Sequence, residues 1–316
     1  MGAARRGDGD LSANVVDVRR FSTHDGQGIR TTIFLKGCSL DCAWCQNPEA
    51  IDPRIRPVFF RSRCIDCGLC LGPGTAAAAR RDEEGRVQVD PTATGVDWAG
   101  LARDCPTGAI AFDARRYTVD ELVAVARRDR VFFGSGGGVT LSGGEPLFLP
   151  HFAAALLGAL RADGINTAIE TALNVRSDFL LAALPHTDHA FCDLKLIDPA
   201  AHRRYTGRGN EQVLANLALL LSGERRDDIT VRTPLIPGIT DGEENIAGIA
   251  RFLSGIHPGV RYELLNYNPL AAAKYDLLPG VMYVFDTDAN PRMFNAAQMA
   301  AFGQLARDNG IRNLVA

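Results

Sequence analysis

Seven of the eight cysteines fall into two groups whose spacing suits metal chemistry. Cys38, Cys42 and Cys45 form a C-x3-C-x2-C array in "KGCSLDCAWCQNPEA". Cys64, Cys67 and Cys70 form C-x2-C-x2-C in "CIDCGLC", and Cys105 follows in "CPTGAI". Clustered cysteines at short spacing in a reducing compartment point to metal or redox chemistry rather than disulfides. Three thiolates on one short loop can hold three irons of a cubane, whose fourth iron then lacks a protein ligand. An open position of that kind is how a metal centre takes a substrate or cofactor. The alternative is zinc, held by the same three thiols and a histidine such as His24. Zinc sites usually pair their ligands from separate loops, and three thiols within eight residues suit them less well.

The second group can be read against the two-cluster ferredoxin run, C-x2-C-x2-C-x3-C-P, in which each run's fourth cysteine serves the other cluster. That template places the first run's fourth ligand at Gly74 and the second run's first three at Gly95, Trp98 and Leu101. Every ligand of one cluster is missing, and every ligand of the other survives as Cys64, Cys67, Cys70 and Cys105. One fully ligated [4Fe-4S] cluster follows, with no open iron, suited to electron transfer or structure. A zinc knuckle is the alternative. Cys192 stands apart in an apolar run and reads as a core thiol. His151, His186, His189, His202 and His257 show no ligand spacing.

These groups need elements to place them. "IRTTIFL" reads as a strand opening straight into the first array. Residues 58–115 lack apolar periodicity and read as an insert. From there αβ units alternate: a capping box at Thr118-Val-Asp-Glu121 opening a helix to about Arg128, then strands at 138–141, 166–171, 189–196, 229–235 and 260–266. Helices fall at 150–162, from Ser177, and at 211–221, 243–254 and 292–308. Repeated βα units favour a parallel sheet. Six are too few for a full eight-stranded barrel, so the expected class is α/β. The architecture is an incomplete (β/α)6 TIM-like barrel with an inserted ferredoxin-like iron–sulfur subdomain. The expected organisation is a tail at 1–13, a barrel at 14–57 and 116–316, and the insert at 58–115.

Composition narrows the function. The 316 residues carry 34 basic and 37 acidic side chains, a net charge of −3, with 46% apolar residues. This balance offers no footprint for nucleic acid or for an anionic membrane. No apolar run approaches the ~18 residues of a membrane span. The stretch from Met1 to Arg20 reads as neither signal peptide nor anchor, so a cytoplasmic location is expected. Only three of the 34 basic residues are lysines, Lys36, Lys195 and Lys274. In a chain otherwise served by arginine, a lysine can mark a place needing a compact ammonium; chance is the plainer reading.

The array with Trp44 before its last cysteine resembles the signature of radical S-adenosylmethionine (SAM) enzymes. "RRFSTHDGQGIRTTIFLKGCSLDCAWCQNPEA" is similar, more narrowly, to the activating enzymes of glycyl radical enzymes, of the pyruvate formate-lyase activating enzyme type. The resemblance runs from about Val18 to at least Tyr275. It implies that the open iron chelates SAM and that reductive cleavage yields a 5′-deoxyadenosyl radical. That radical takes hydrogen from a glycine of a partner glycyl radical enzyme, with a flavodoxin or ferredoxin-type reductant. Two [4Fe-4S] clusters and SAM are the cofactors so implied, although relatives often carry two clusters in the insert and this chain has ligands for one.

The resemblance also nominates a SAM pocket beside Trp44. Gly143, Gly144 and Glu145 in "LSGGEP" match the motif for the SAM amino group. Glu170 and Thr171 in "IETALNV" match an acidic strand that contacts SAM, with Ala172 departing from the usual Asp-Thr-Asn. Asp193 and Lys195 in "CDLKLID" match Asp-Leu-Lys, with the ammonium facing the SAM carboxylate. Arg232 in "VRTPLIPGITD" is a second candidate for that carboxylate, a strand-end salt bridge being the alternative. Asn268 stands where the family often has histidine. Asp25 in "HDGQGIR" would lie beside the incoming glycine loop, or else pair with Arg30 to shape a turn. Two other readings remain: an enzyme of the same ancestry acting on a small molecule or peptide, and a non-catalytic iron–sulfur or zinc module.

Overall fold

A computed structural model describes residues 11–23, 25–278, 280–281, 283–285 and 291–315. His24 and most of the 1–13 tail lie outside the described residues. The chain opens with β1 (Ser12–Ser22) and β2 (Arg30–Leu35), then enters the insert, built from β3 (Pro57–Phe59), β4 (Ala79–Arg81), β5 (Val87–Val89), α1 (Trp98–Asp104) and β6 (Ile110–Phe112). It returns through β7 (Arg115–Thr118) to α2 (Val119–Phe133), β8 (Gly138–Gly143), α3 (Pro150–Ala162), β9 (Asn166–Thr171), α4 (Ser177–Ala183) and β10 (His189–Asp193). It continues through α5 (Pro199–Thr206), α6 (Glu211–Leu221), β11 (Ile229–Pro234), α7 (Glu243–Ile256), β12 (Arg261–Leu265), α8 (Ala272–Tyr275) and α9 (Ala296–Asp308) to β13 (Asn313–Val315).

One nine-stranded sheet carries the main body, in the order β13-β12-β11-β10-β9-β8-β2-β1-β7. From β2 to β13 every neighbour pair is parallel, giving seven parallel strands where six were expected. β13 is the additional one; three residues long, it is too short to show a period. β1 and β7 extend the other edge antiparallel. The insert forms two separate two-stranded ribbons, β3 with β6 and β4 with β5. Pairing moves its bounds slightly from 58–115, because Pro57 joins β3 while Arg115 belongs to the main sheet. β1 likewise begins at Ser12, inside the stretch expected to be tail.

Local chemistry explains the other departures. The Thr118–Glu121 capping box forms as expected, but α2 runs on to Phe133. The charged Arg128-Asp129-Arg130 does not stop it, because Asp129 turns inward to accept hydrogen bonds from Arg20 and Thr31. α9 starts four residues later than the expected Arg292, where Asn295 and Gln298 form a second capping box. β10 ends at Asp193 rather than residue 196, and Asp198 caps the unanticipated α5.

The core lies between the sheet and its helices. Ile33, Leu35, Val139, Leu141, Ile169, Cys192 and Val231 point to one face, where they meet Leu122, Leu156, Leu217 and Leu253. Cys192 is thus a core thiol. Among the described residues no helix is long and apolar enough to cross a membrane. Leu156 is fully buried, so Leu156→Ala is expected to lower unfolding free energy by about 2–5 kcal/mol. Loss of the cap in Thr118→Ala should cost only about 1 kcal/mol. Urea unfolding followed by circular dichroism checks both values and their order.

Candidate functional site

The first cysteine array is a loop tied down on every side. Gly37 donates to Ala50 O at 2.7 Å and Cys38 to Ile51 O at 3.1 Å, closing residues 37–51 at their base. The C-terminal end of α5 holds the tip, where Asp41 donates to Thr206 O and Ala43 to Tyr205 O, both at 2.9 Å. Tyr275 donates to Cys45 O at 3.0 Å, and Val284 donates to Ala43 O at 2.8 Å. Trp44 is buried among Leu196, Ile236 and Tyr267. It anchors the loop by burial, which is where the structure places this candidate.

β8 ends beside this loop in the Gly143-Gly144-Glu145 turn. Gly143 has φ +112°, and a Cβ there would lie 2.3 Å from the backbone of Leu35. A Cβ on Gly144 would meet Gly37 O at 2.3 Å. Both glycines therefore permit an approach of two backbones that no side chain allows. The Glu145 backbone N–H donates to Gly37 O at 2.8 Å, while its side chain turns inward. That carboxylate accepts from Leu147 N at 3.0 Å, Ala172 N at 2.8 Å and Thr171 Oγ1 at 2.9 Å. Glu145 and Thr171 thus form one buried unit. Leu173 beyond it takes φ +57° and donates to Thr171 Oγ1.

The sheet face opposite the core collects a different set. Strand alternation puts Ser142, Glu170, Phe191, Asp193, Arg232 and Glu263 on that face of β8 to β12. Arg232 donates through Nη1 to Glu170 and through Nε to Glu263, each at 2.7 Å. Its guanidinium lies 3.6 Å from the centroid of Phe191, and Ser142 donates to the other oxygen of Glu170 at 2.5 Å. Arg232 is held by two carboxylates, an arrangement wider than the single strand-end salt bridge considered from sequence. Lys195 pairs with Asp193. Asn268 caps the turn at 269–271 by accepting from Leu270 N, while its carbonyl accepts from Gln46 Nε2 at 3.1 Å, next to the loop. Asp25 accepts from the Ser22 and Thr32 hydroxyls. Arg30 turns away to Thr140, Val139 O and Asn166, so the two meet through Thr140 and not as an ion pair. Ser142, Phe191 and Glu263 were not singled out from sequence; their signal was the two-residue alternation within their strands.

Burial sets the electrostatics. It pushes the Cys38, Cys42 and Cys45 thiols up to about 12, with Lys195 acting against the rise at all three. Burial alone would lower the Lys195 ammonium, but Asp193 and the thiols of Cys42 and Cys45 outweigh it and raise it. Glu145 is pushed up to about 7 by burial despite its donors. Burial also raises Glu170, against the pull of Arg232. Half-buried thiols held protonated in this way ionise readily when a metal takes the charge. The donor set and its loop fit a three-thiolate cluster.

In the insert, Cys64, Cys67, Cys70 and Cys105 line one cavity of about 60 Å³ together with Phe59, Val87 and Ile110. Cys105 follows α1 directly. Burial opposes its ionisation, but backbone N–H groups of Ile110, Thr107 and Ala109 hold it below the usual thiol range. Among the described residues, those of the first array included, no three ligating side chains converge on a single-ion position; the four thiols of the insert share the lining of this cavity with apolar side chains. That all-sulfur set fits a cubane.

Comparison with known proteins agrees with this chemistry. A profile described as the radical SAM superfamily matches residues 103–250, and one described as a 4Fe-4S single cluster domain matches residues 24–87. The isethionate sulfite-lyase activating enzyme of Desulfovibrio desulfuricans is 36% identical over 291 residues, covering 91% of this chain and 93% of its own. The indoleacetate decarboxylase activating enzyme of Tractidigestivibacter scatoligenes is 35% identical over 322 residues, covering 98% of each. A solved radical SAM methyltransferase from Sphaerobacter thermophilus superposes with a TM-score of 0.50 at 16% identity, over 90% of this chain and 65% of that one, a likeness of fold alone.

The Glu145 carboxyl sets a pH dependence. Its folded pKa, about 7, lies above its ordinary value of 4.5. Between those two values the folded state keeps a proton that the unfolded state releases, so this stabilising contribution is lost as pH rises. The loss should reach up to about 3 kcal/mol. Urea unfolding at pH 5 and pH 7.5 should show this fall in the parent chain, and a flatter profile in Glu145→Gln.

Proposed function

The chain belongs to the radical SAM activating enzymes of glycyl radical enzymes, and from that premise we propose how its residues divide the work. The function is activation of a partner glycyl radical enzyme. When bound, the cluster and SAM supply one-electron cleavage of the sulfonium and a 5′-deoxyadenosyl radical that takes a hydrogen atom from a glycine Cα. One observation carries the assignment of roles: the three-thiol loop, the Gly143-Gly144-Glu145 turn, Thr171 and Lys195 all lie at the C-terminal ends of parallel strands, where barrel enzymes keep their sites.

Cys38, Cys42 and Cys45 hold the SAM cluster in this reading. Lys195 presents an ammonium toward the SAM carboxylate, oriented by Asp193. The glycine turn lets backbone carbonyls approach the SAM amino group, while Glu145, occupied by Thr171 and two N–H groups, fixes the turn's shape. Arg232 is held between Glu170 and Glu263 on this face. Trp44 supports the loop, Asn268 borders it through Gln46, and Asp25 lines the approach to the first strand pair. The main sheet forms an incomplete barrel around this face. The insert is a ferredoxin-like subdomain whose Cys64, Cys67, Cys70 and Cys105 hold a second [4Fe-4S] cluster. A flavodoxin or ferredoxin-type protein delivers the electron. The partner is a glycyl radical enzyme, as for the relatives, whose names give an isethionate sulfite-lyase and an indoleacetate decarboxylase.

Anaerobically reconstituted protein should contain about eight irons and eight sulfides per chain. Incubated with reductant, SAM and the partner, it should produce a glycyl doublet by electron paramagnetic resonance (EPR). Lys195→Met should lower the yield at limiting SAM by at least about tenfold, the scale of one charge-assisted contact. An iron content near four removes the second cluster. SAM cleavage that never yields the doublet moves the reading to a small-molecule substrate.

A further inference from the structure

Two of the three lysines of this arginine-rich chain, Lys274 and Lys36, bond to the return of the thiol loop. Lys274 donates to Gln46 O and Asn47 Oδ1 at 2.8 Å and to Glu49 Oε1 at 2.7 Å. Lys36 lies two residues before Cys38 with its side chain wholly buried; it donates to Glu49 O and to Asp113 Oδ2, the latter at 2.9 Å. The same Asp113 closes the neck of the insert. It accepts from Arg56 N at 2.9 Å and Arg56 Nε at 3.3 Å, and its own N–H donates to Arg56 O at 2.9 Å. One buried carboxylate therefore serves both the entry to the insert and the base of the thiol loop. A lysine suits this position because its compact ammonium can reach a backbone carbonyl and a carboxylate at once, where the wider guanidinium fork would need more room.

We propose that Lys36 is a positioning residue that makes the order of the thiol loop depend on the insert. With the neck closed, Asp113 presents its carboxylate to Lys36, and Lys36 holds Glu49 O and thus the return of the loop. If the insert loosens, Asp113 moves, the ammonium loses its partner, and residues 37–51 lose one of the ties that set the thiol spacing. The insert is then more than an appended electron carrier, because its folding completes the neighbouring site. This rests on the reading of the loop as a cluster site, while the Lys36 linkage itself stands on the geometry alone.

The test compares the full chain with Lys36→Met/Asp113→Leu, which removes both members of the buried pair and leaves the partly exposed Arg56 side chain to Asp52. Three readouts apply: melting temperature, amide hydrogen exchange over residues 37–51, and the SAM-induced change in the EPR spectrum of the reduced protein. The double variant should melt within a few degrees of the parent. Loop exchange should nevertheless rise at least about tenfold, and the SAM-responsive fraction of the signal should fall at least about threefold. Cys105→Ala should raise loop exchange in the parent and add nothing in the double variant. Parent-like exchange and SAM response in the double variant, or an additive effect of Cys105→Ala, overturns the proposal. Should the double variant fail to fold, Asp113→Asn, which keeps an acceptor for Arg56 N, decides by the same readouts. A parent chain without any SAM response sinks the cluster-site reading, yet its exchange data still judge Lys36.

Discussion

The two-residue period of a strand is the constraint on which this structure rests. Parallel strands usually bury apolar side chains on both faces. Here Ile33, Val139, Ile169, Cys192 and Val231 pack against helices, while their neighbours Thr32, Thr140, Glu170, Phe191 and Arg232 share the other face. A face so rich in polar groups cannot be left half satisfied, because an unpaired buried charge costs several kcal/mol. Its members satisfy one another: Ser142 with Glu170, Glu170 and Glu263 with Arg232, Asp193 with Lys195, and Thr140 with Arg30 and Asp25.

Glu145 shows how support and reactivity are divided. A carboxylate in a glycine turn invites the reading of a direct partner for an ammonium. Its oxygens are instead engaged by Thr171 and two backbone N–H groups, so it ties the end of β8 to the end of β9. The glycines beside it let the turn pack backbone to backbone against Leu35 and Gly37. The thiol loop is organised in the same way: helix α5, the Tyr275 hydroxyl and Lys274 hold its backbone, and buried Trp44 pins it from below.

The two cysteine groups are structurally continuous. The insert's neck is closed by Arg56 and Asp113, and Asp113 is bonded to Lys36 at the foot of the first loop. The segment between Arg56 and Asp113 is therefore joined to the foot of the first cysteine loop through a buried ion pair and not through the covalent chain alone.

What was legible in the sequence was whatever is local in the chain. The thiol arrays, the strand that opens into the first of them and the Thr118 capping box are contiguous patterns. The repeated βα units likewise announced a parallel sheet, though β13 was too short to register and the charged turn of α2 disguised a buried aspartate. Tertiary structure alone decided which polar residues meet. Arg232 lies 62 residues from Glu170 and 31 from Glu263 along the chain, and the three become neighbours only through strand register. The meeting of Lys36 with Asp113, 77 residues on, depends on where an insert folds back. Local spacing determines which atoms can bind a metal; only the packing of distant strands determines which charges stand around it, because no periodicity in one segment encodes the register of another.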